Sequence, residues 1–248
     1  MKLMNSLFTA SVPFLPKWMA RPFALPYVAG ETINEAIQAA ESVIDKGFLV
    51  TMDILGEHTL DVEFSRKITD DYCSLYNQII EKKLDCTISL KLTHLGLDIN
   101  DELAQDNLEK IIKSAKSGDL GLTLDMENSP YTSRTIKIYK ETLGSYEKVG
   151  MVLQAYLHRS MNDLNSIMSP QLHLRICKGI YREDEKIAFQ NMEQINENYI
   201  ALCQTLLESE GFAEIATHDT ELIHHLDRWI TENQIPIDRF EFQVLYGV

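Results

Sequence analysis

Residues 86–126 read CTISLKLTHLGLDINDELAQDNLEKIIKSAKSGDLGLTLDM, and this stretch decides the fold class. Two short apolar runs, Cys86 to Thr93 and Gly121 to Met126, enclose a longer amphipathic segment. We predict a helix there because Asn100 can cap its start and an acidic first turn follows. A strand, a helix and a second strand in this order form a βαβ unit with parallel strands.

The same alternation recurs along the chain beyond Gly30, and no linker rich in Pro, Gly or Ser interrupts it. Other helix starts are predicted from a capping box of Thr32 with Glu35, and from Ser129 followed by Pro130 at the first helical position. The pattern predicts seven strands in all: Phe48 to Leu55, Cys86 to Thr93, Gly121 to Met126, Val149 to Tyr156, Leu172 to Cys177, Ala213 to Thr217 and Phe240 to Tyr246.

Repeated βα units build either a doubly wound open sheet or a parallel barrel. A glycine fingerprint for dinucleotides is absent after the first strand, where MDILGEH stands, and no phosphate-binding P-loop occurs in the sequence. We therefore predict an α/β fold of the parallel (βα)8 TIM-barrel type with seven strand-helix units evident. The predicted domains are an N-terminal arm, residues 1–31, and a barrel domain, residues 32–248.

Composition excludes several classes of protein. The 248 residues are 45% hydrophobic and 24% charged, which suits one globular domain rather than a disordered chain. The net charge of −14 repels phosphate backbones and disfavours nucleic acid as a partner. Four scattered cysteines indicate a reducing cytoplasm. The first twenty residues faintly resemble a secretion signal, but Asn5, Ser6 and Pro13 interrupt it, so we expect an arm packed on the main domain or a weak surface anchor.

Polar residues recur at one end of every predicted strand. In a parallel barrel these ends meet at one rim, where active sites lie, so the pattern predicts a single ligand site. Taken one at a time, these residues could have a purely structural role instead. Asp53 or Thr93 could cap a helix, Lys91 could form a buried ion pair with Asp125, and Gln154 could contact a loop. The polar residues are Asp53, Lys91, Thr93, Asp125, Glu127, Gln154, Arg175, Lys178, Thr217, His218 and Gln243.

The cations at this rim indicate the chemistry of the ligand. Lys91, Arg175 and Lys178 are donors for a carboxylate or a phosphate, so we expect an anionic ligand. The helix start after Thr217 and His218, with Asp219 and Thr220 available as caps, could dock a phosphorylated cofactor. No metal site is predicted, since the chain has no His-Glu-x-x-His motif and the adjacent histidines at 224 and 225 are interpreted as surface residues. Cys177 is interpreted as a small apolar filler rather than a nucleophile.

Eight short sequence motifs occur in order over some two hundred residues. Together they resemble the proline dehydrogenase family, the flavin-dependent enzymes of proline catabolism. The motifs are YVAGET at 27–32, LGEH at 55–58, SLKLTHLGLDI at 89–99, DMENSPYT at 125–132, LQAYLHR at 153–159, LRICKGIY at 174–181, ATHD at 216–219 and FEFQVLYG at 240–247.

The resemblance implies a distorted (βα)8 barrel that binds FAD without a covalent link and oxidises L-proline to 1-pyrroline-5-carboxylate. It implies that Lys91 and Tyr181 bind the substrate, and that Asp125 and Arg175 are catalytic, with Arg175 against the flavin ring. The residues that match flavin-contacting positions of the family are Met126, Gln154, Arg175, Lys178, Gly179, Ile180, Thr217 and His218.

The sequence departs from the family in two ways. Ile180 stands where the family usually has alanine. Family members also continue into an eighth strand and a last helix, whose Arg-Arg pair clamps the proline carboxylate, so we expect this chain alone to bind proline weakly. We expect a fragment of a longer product; a second polypeptide that supplies the last unit, or the N-terminal arm filling the gap, are the alternatives.

The resemblance also implies a quinone electron acceptor, peripheral contact with the inner face of the cytoplasmic membrane, and pyrroline-5-carboxylate dehydrogenase as a candidate partner. Two other functions stay open at this point. One is a Schiff-base aldolase that uses Lys91 or Lys178 as its nucleophile. The other is a non-catalytic or split-enzyme fragment that retains the flavin site but not substrate capture.

Overall fold

The structure is a computed structural model, and it describes residues 28–248. The described residues divide into two compact units, residues 28–48 with 245–248, and residues 49–244. Most of the predicted N-terminal arm lies outside the described residues, and the predicted domain boundary stays a prediction. In the smaller unit, helix α1 (Ile33–Ile44) begins with the predicted capping box: Thr32 Oγ1 accepts from the Glu35 N–H at 3.2 Å, and the Glu35 carboxylate accepts from the Thr32 N–H at 3.1 Å.

The larger unit is built on one parallel sheet. Among the described residues it has seven strands, which pair in chain order from the first to the seventh. Each strand matches one of the predicted apolar runs; six are shorter than predicted, and β6 has the predicted length but begins one residue earlier. The strands are β1 (Val50–Asp53), β2 (Cys86–Leu90), β3 (Leu122–Leu124), β4 (Val149–Gln154), β5 (His173–Cys177), β6 (Phe212–Ala216) and β7 (Phe240–Gln243).

A helix follows each of the first six strands, as βαβ units require. These helices are α2 (Val62–Lys82), α3 (Asp101–Gly118), α4 (Ser129–Leu143), α5 (Ser160–Ile167), α6 (Met192–Glu208) and α7 (Thr220–Glu232), and a short 3-10 turn (Ile237–Arg239) leads into β7. Asn100 caps α3 as predicted, since its side chain accepts from the Leu103 N–H at 2.8 Å.

The predicted start of α4 is wrong by one residue. Ser129 is the first helical residue, with Asn128 before it, so Pro130 occupies the second helical position. Asn128 makes no capping hydrogen bond. The Glu183 carboxylate takes that role from a distant loop: it accepts from the Ser129 N–H at 2.7 Å and from Ser129 Oγ at 2.8 Å.

The sheet is strongly curled. Arg175 Nη1 on β5 lies 2.9 Å from Ser89 Oγ on β2, three strands away. In a flat sheet three strand spacings amount to about 14 Å, so the inward faces of these strands must turn toward one another. The hydrophobic core extends through the strands, in which Leu90, Leu124 and Ile215 are fully buried. The predicted barrel-type fold is therefore confirmed as a curled sheet of seven parallel strands with alternating helices.

Candidate active site

Charged side chains from the first three strands meet at the rim formed by the carboxyl ends. Asp53 ends β1, Lys91 follows β2 and Asp125 follows β3. Lys91 Nζ lies 3.2 Å from Asp53 Oδ2 and 3.4 Å from Asp125 Oδ2. The ion pair of Lys91 with Asp125, considered above as a structural alternative, is present. Within residues 28–248 these two carboxylates occupy two of the three N–H groups of the ammonium, which leaves one for a ligand.

The charge state of Lys91 follows from its neighbours. Burial acts to lower the pKa of Lys91, but the carboxylates of Asp125 and Asp53 outweigh burial and raise the pKa above its ordinary value. Lys91 is therefore a stable ammonium at neutral pH, and a protonated amine is not a nucleophile. This argues against a Schiff-base reaction at Lys91 and favours its use as a binding cation.

Arg175, on β5, is held from four other strands. Its Nη1 donates to Asp125 Oδ1 at 3.0 Å and to Ser89 Oγ at 2.9 Å. Its Nε lies 3.1 Å from Glu214 Oε2 and 2.6 Å from Gln243 Oε1. Nη2 makes no hydrogen bond with the described part of the chain. The guanidinium is thus fixed on two sides, with two N–H groups left for a ligand.

Gln154 presents a buried acceptor. It is the last residue of β4 and only 2% exposed, and its Nε2 donates to the Met126 carbonyl oxygen at 3.1 Å. Its Oε1 is buried, and no described residue donates to it. A buried amide oxygen without a donor is costly, so this atom is suited to an N–H group on a bound ligand.

A second cation lies at the start of α7. Lys178 Nζ lies 2.6 Å from Asp219 Oδ2, and Asp219 caps the helix by accepting from the Glu221 and Leu222 N–H groups. The hydrogen bond from Lys178 lowers the pKa of Asp219 below its ordinary value. The Asp219 N–H donates to Thr217 Oγ1 at 3.1 Å, and the neighbouring His218 is exposed. The predicted residues Lys178, Thr217 and His218 are therefore brought together, but the chain's own carboxylate takes the cap position.

The loop after β5 carries three more of the predicted residues. Gly179 has a φ of +106°, and Ile180 is 85% exposed. Tyr181 Oη donates to Glu57 Oε2 at 2.9 Å. Burial raises the pKa of Tyr181 well above its ordinary value, and the carboxylates of Glu57, Glu127 and Asp125 add to the rise. Tyr181 is therefore a neutral phenol, near enough to the Asp125 carboxylate to be influenced by its charge.

Three side chains of this region, Glu57, His58 and Glu127, each offer an atom within 4.8 Å of the others, as a metal ion would require. Each already bonds to protein: Glu57 to Tyr181, His58 Nδ1 to Asp98 at 2.9 Å, and Glu127 to Thr93. The group alone does not define a metal site, and the expectation that the chain binds no metal stays a prediction.

Cys177 is suited to packing and not to nucleophilic chemistry. Burial raises the pKa of the Cys177 thiol to about 12, so a thiolate does not form near neutral pH. Its sulfur lies 3.7 Å from the Leu153 carbonyl oxygen on the neighbouring strand. The two adjacent histidines on α7, His224 and His225, are exposed, in agreement with their interpretation as surface residues.

Glu127 is a buried carboxylate that bonds to Thr93, two residues after Lys91. It is fully buried and accepts hydrogen bonds from the Thr93 N–H at 3.1 Å and from Thr93 Oγ1. Burial raises the pKa of Glu127 above its ordinary value of 4.5, because it outweighs the hydrogen bonds from Thr93. The folded chain therefore binds this proton more tightly than the unfolded chain does.

The Glu127→Gln variant is expected to become more stable relative to the wild type as pH rises from 4.5 through the raised pKa. In this window the wild-type free energy of unfolding falls with pH. Glutamine carries no charge, and it can accept from the Thr93 N–H through its oxygen and donate to Thr93 Oγ1 through its Nε2. Each unit of pKa shift is worth about 1.4 kcal/mol. Urea unfolding at pH 5 and pH 7.5 measures the difference. Glu109→Gln, at an exposed site on α3, is the control, and a Glu127→Gln difference that is constant with pH contradicts the prediction.

Sequence reasoning did not include three of the interacting residues in the site. Ser89 and Glu214 lie inside apolar strands, and Glu57 lies in the loop after β1. Glu214 could have been found from the sequence, because it is a carboxylate within the buried run FAEIA and a buried charge needs a partner. Glu57 carried no such signal, since its partner Tyr181 is 124 residues away along the chain.

The fold and the side chains at its rim together define a class of protein: a parallel (βα) barrel-type protein whose candidate ligand site lies at the carboxyl ends of its strands and carries cations suited to an anionic ligand. A sequence model of the proline dehydrogenase family matches residues 36–248. The chain is 35% identical over 246 residues to proline dehydrogenase 2 of Bacillus subtilis, covering 98% of this chain and 81% of that protein. The chain belongs to the proline dehydrogenase family.

Other relatives agree with this assignment. Proline dehydrogenase of Deinococcus radiodurans is 31% identical over 227 residues, covering 90% of this chain and 73% of that protein. The crystal structure of proline utilization A from Bdellovibrio bacteriovorus, inactivated by N-propargylglycine, superposes with a TM-score of 0.83 at 22% identity. That match covers 91% of this chain and 28% of the other, and it shows the common fold. The predicted family and enzyme class, an oxidoreductase, are confirmed, and the alternative of a non-catalytic fragment is not favoured.

Proposed function

We propose that this chain oxidises L-proline to 1-pyrroline-5-carboxylate by hydride transfer to noncovalently bound FAD. The observation that carries the proposal is the row of ion pairs Lys91–Asp125–Arg175 at the rim. In this proposal Lys91 is the cation for the substrate carboxylate, and Arg175 is the cation for the charge that develops during the reaction. Membership of the proline dehydrogenase family supplies the reaction type.

The residues present fit a flavin. The buried Gln154 Oε1 has no donor among the described residues, and a flavin ring carries an N–H group that can supply one. Lys178 offers a cation close to the start of α7. When bound, FAD supplies the two-electron acceptor. We assign FAD binding to Met126, Gln154, Arg175, Lys178, Gly179, Ile180, Thr217 and His218.

Substrate binding is assigned to Lys91 and Tyr181. The ammonium of Lys91 has one N–H group left for the proline carboxylate, and its two aspartate partners hold it at the rim. Tyr181, half-buried and tied to Glu57, provides an aromatic ring for the apolar part of the proline ring.

In the proposed oxidation a C–H bond would break on the carbon that is beside the proline nitrogen and does not carry the carboxylate, and bound FAD would accept its electron pair as a hydride. The nitrogen lone pair then forms the C=N bond, and the nitrogen releases its proton. Asp125 holds Lys91 and Arg175 in place, since one of its oxygens faces each cation. The positive charge of Arg175 stabilises the negative charge that arrives with the hydride.

The partners and the location follow from the family by analogy. We propose a quinone as the final electron acceptor, with the chain in the cytoplasm and in peripheral contact with the inner face of the cytoplasmic membrane. None of the helices within residues 28–248 has the length and apolar character needed to cross a bilayer. The bifunctional protein PutA of Escherichia coli is 24% identical over 263 residues, which is 20% of its length. This match supports pyrroline-5-carboxylate dehydrogenase as a functional partner.

The visible absorption spectrum of the purified protein, recorded before and after anaerobic addition of L-proline, tests the proposal. We expect a flavin spectrum whose blue absorption bleaches with proline. Lys91→Met is expected to keep the flavin but to need a far higher proline concentration for bleaching, because the carboxylate loses its cation. Lys113→Met, at an exposed lysine on α3, is the matched control and should behave as the wild type. A colourless protein contradicts the cofactor, and a flavin that proline does not bleach contradicts the reaction.

A further inference from the structure

Glu214 is a carboxylate in the middle of a buried strand. It is the third residue of β6 and only 8% exposed. Its Oε2 accepts from Arg175 Nε at 3.1 Å and from Gln243 Nε2 at 2.8 Å. Burial raises the pKa of Glu214 and the Glu241 carboxylate adds to the rise, whereas Arg175 opposes it.

A buried ion pair is a weak source of stability, because the cost of removing two charges from water offsets their attraction. Apolar residues in place of both Glu214 and Arg175 would therefore serve the sheet as well. What Glu214 adds is a second carboxylate on Arg175: Asp125 faces Nη1 from β3, and Glu214 faces Nε from β6. Gln243 closes the same side, since its Oε1 lies 2.6 Å from Nε. These contacts fix both the position and the rotation of the guanidinium.

We propose that Glu214 is the positioning residue for Arg175: it holds the guanidinium so that the unused Nη2 faces the reacting centre, and it lowers the net positive charge that Arg175 presents to the flavin. The inference rests on the proposed function, because the flavin is the group on which Arg175 acts. It adds a residue that does not itself touch the substrate or the cofactor.

Two variants separate position from charge. Glu214→Ala removes both the oxygen that holds Arg175 and the negative charge. We expect kcat for proline to fall about 10- to 100-fold with KM changed by less than about twofold, because a displaced guanidinium stabilises the transition state less well. Glu214→Gln keeps an oxygen for Arg175 Nε, and we expect kcat to recover to within about threefold of the wild type. Loss of the negative charge should also shift the midpoint potential of the bound flavin to a more positive value, since reduction adds negative charge.

The matched control is Glu241→Gln. Glu241 contacts Gln243 Nε2 at 2.6 Å, and Arg175 is not among its described hydrogen-bond partners. This variant removes one negative charge from β7 while the contacts of Glu214 with Arg175 remain. We expect its kcat to stay within about threefold of the wild type, by the same reasoning on transition-state contacts. Its flavin potential should move by less than half of the shift in Glu214→Gln.

The outcomes distinguish the two proposals. A wild-type protein that binds no flavin, or whose flavin proline does not reduce, contradicts the proposed function. A wild type that passes this test, together with a Glu214→Gln potential that does not move, contradicts the role of Glu214. The same holds if Glu214→Gln is as slow as Glu214→Ala and both lose thermal stability equally, because that result describes a merely structural residue. The midpoint potential of the flavin bound to Glu214→Gln tests the role of Glu214 even if Glu214→Ala does not fold.

Discussion

Replacing Arg175 with lysine is expected to slow the reduction of bound flavin by proline about 10²- to 10³-fold while the flavin stays bound. Lysine keeps the positive charge but is a point donor, so it cannot bond to Asp125 on one side and to Glu214 on the other while it also faces the ligand. Loss of one preorganised donor to a developing charge typically has an effect of this size. Anaerobic stopped-flow absorbance at saturating proline measures the rate.

Lysine is the informative substitution, because an apolar residue would leave Glu214 as a buried carboxylate without a cation and Asp125 with Lys91 alone. Breaking a buried pair in this way costs about 3–5 kcal/mol of stability, and loss of folded protein would be mistaken for loss of catalysis. Arg228→Lys, at an exposed position on α7, controls for the chemistry of the exchange and should reduce its flavin at the wild-type rate. An Arg175→Lys rate within tenfold of the wild type would show that Arg175 needs only its charge.

The number, order and direction of the strands could be read from the sequence, because a strand buried on both faces must be apolar along its length. The ends of the strands could not. The run from Cys86 to Thr93 predicts one long strand, yet β2 ends at Leu90. The apolar residues that follow form buried turns, in which the Leu97 N–H donates to the Leu92 carbonyl oxygen at 3.0 Å. Apolar character marks burial, and here burial continues after the ladder of hydrogen bonds has ended.

The rim cations could be predicted for a similar reason, since a long charged side chain at the end of a buried strand needs a purpose. Their partners could not be deduced, because they depend on the curl of the sheet. Asp125 was predicted with Lys91, but its contact with Arg175 joins β3 to β5 across the inner face. The cap of α7 could be predicted, since the sequence offers Asp219 at this helix start and Asp219 caps the helix. Its contact with Lys178, 41 residues away along the chain, could not.

Replacing Gly179 with alanine is expected to destabilise the protein by about 3 kcal/mol and to lower its flavin content. Two costs of about 1–3 kcal/mol each combine at this residue. Its φ of +106° is one that side-chain-bearing residues rarely adopt. An added Cβ would also lie 2.1 Å from Cδ1 of the Tyr156 ring. That ring cannot easily move, because Tyr156 is 6% exposed and its N–H donates to the Lys178 carbonyl oxygen at 2.9 Å.

Two other glycines separate these costs. Gly47 has a φ of +89° but open space around a Cβ, so Gly47→Ala should show the conformational cost alone, about 1 kcal/mol. Gly144, with a φ of −63°, should tolerate alanine with little change. Urea unfolding of the three variants gives the order Gly179→Ala, Gly47→Ala, Gly144→Ala. If Gly179→Ala costs no more than Gly47→Ala, the loop moves away from Tyr156 at little cost. Because Lys178 and Ile180 flank Gly179, a rigid loop at this point is what would hold their backbone against the flavin.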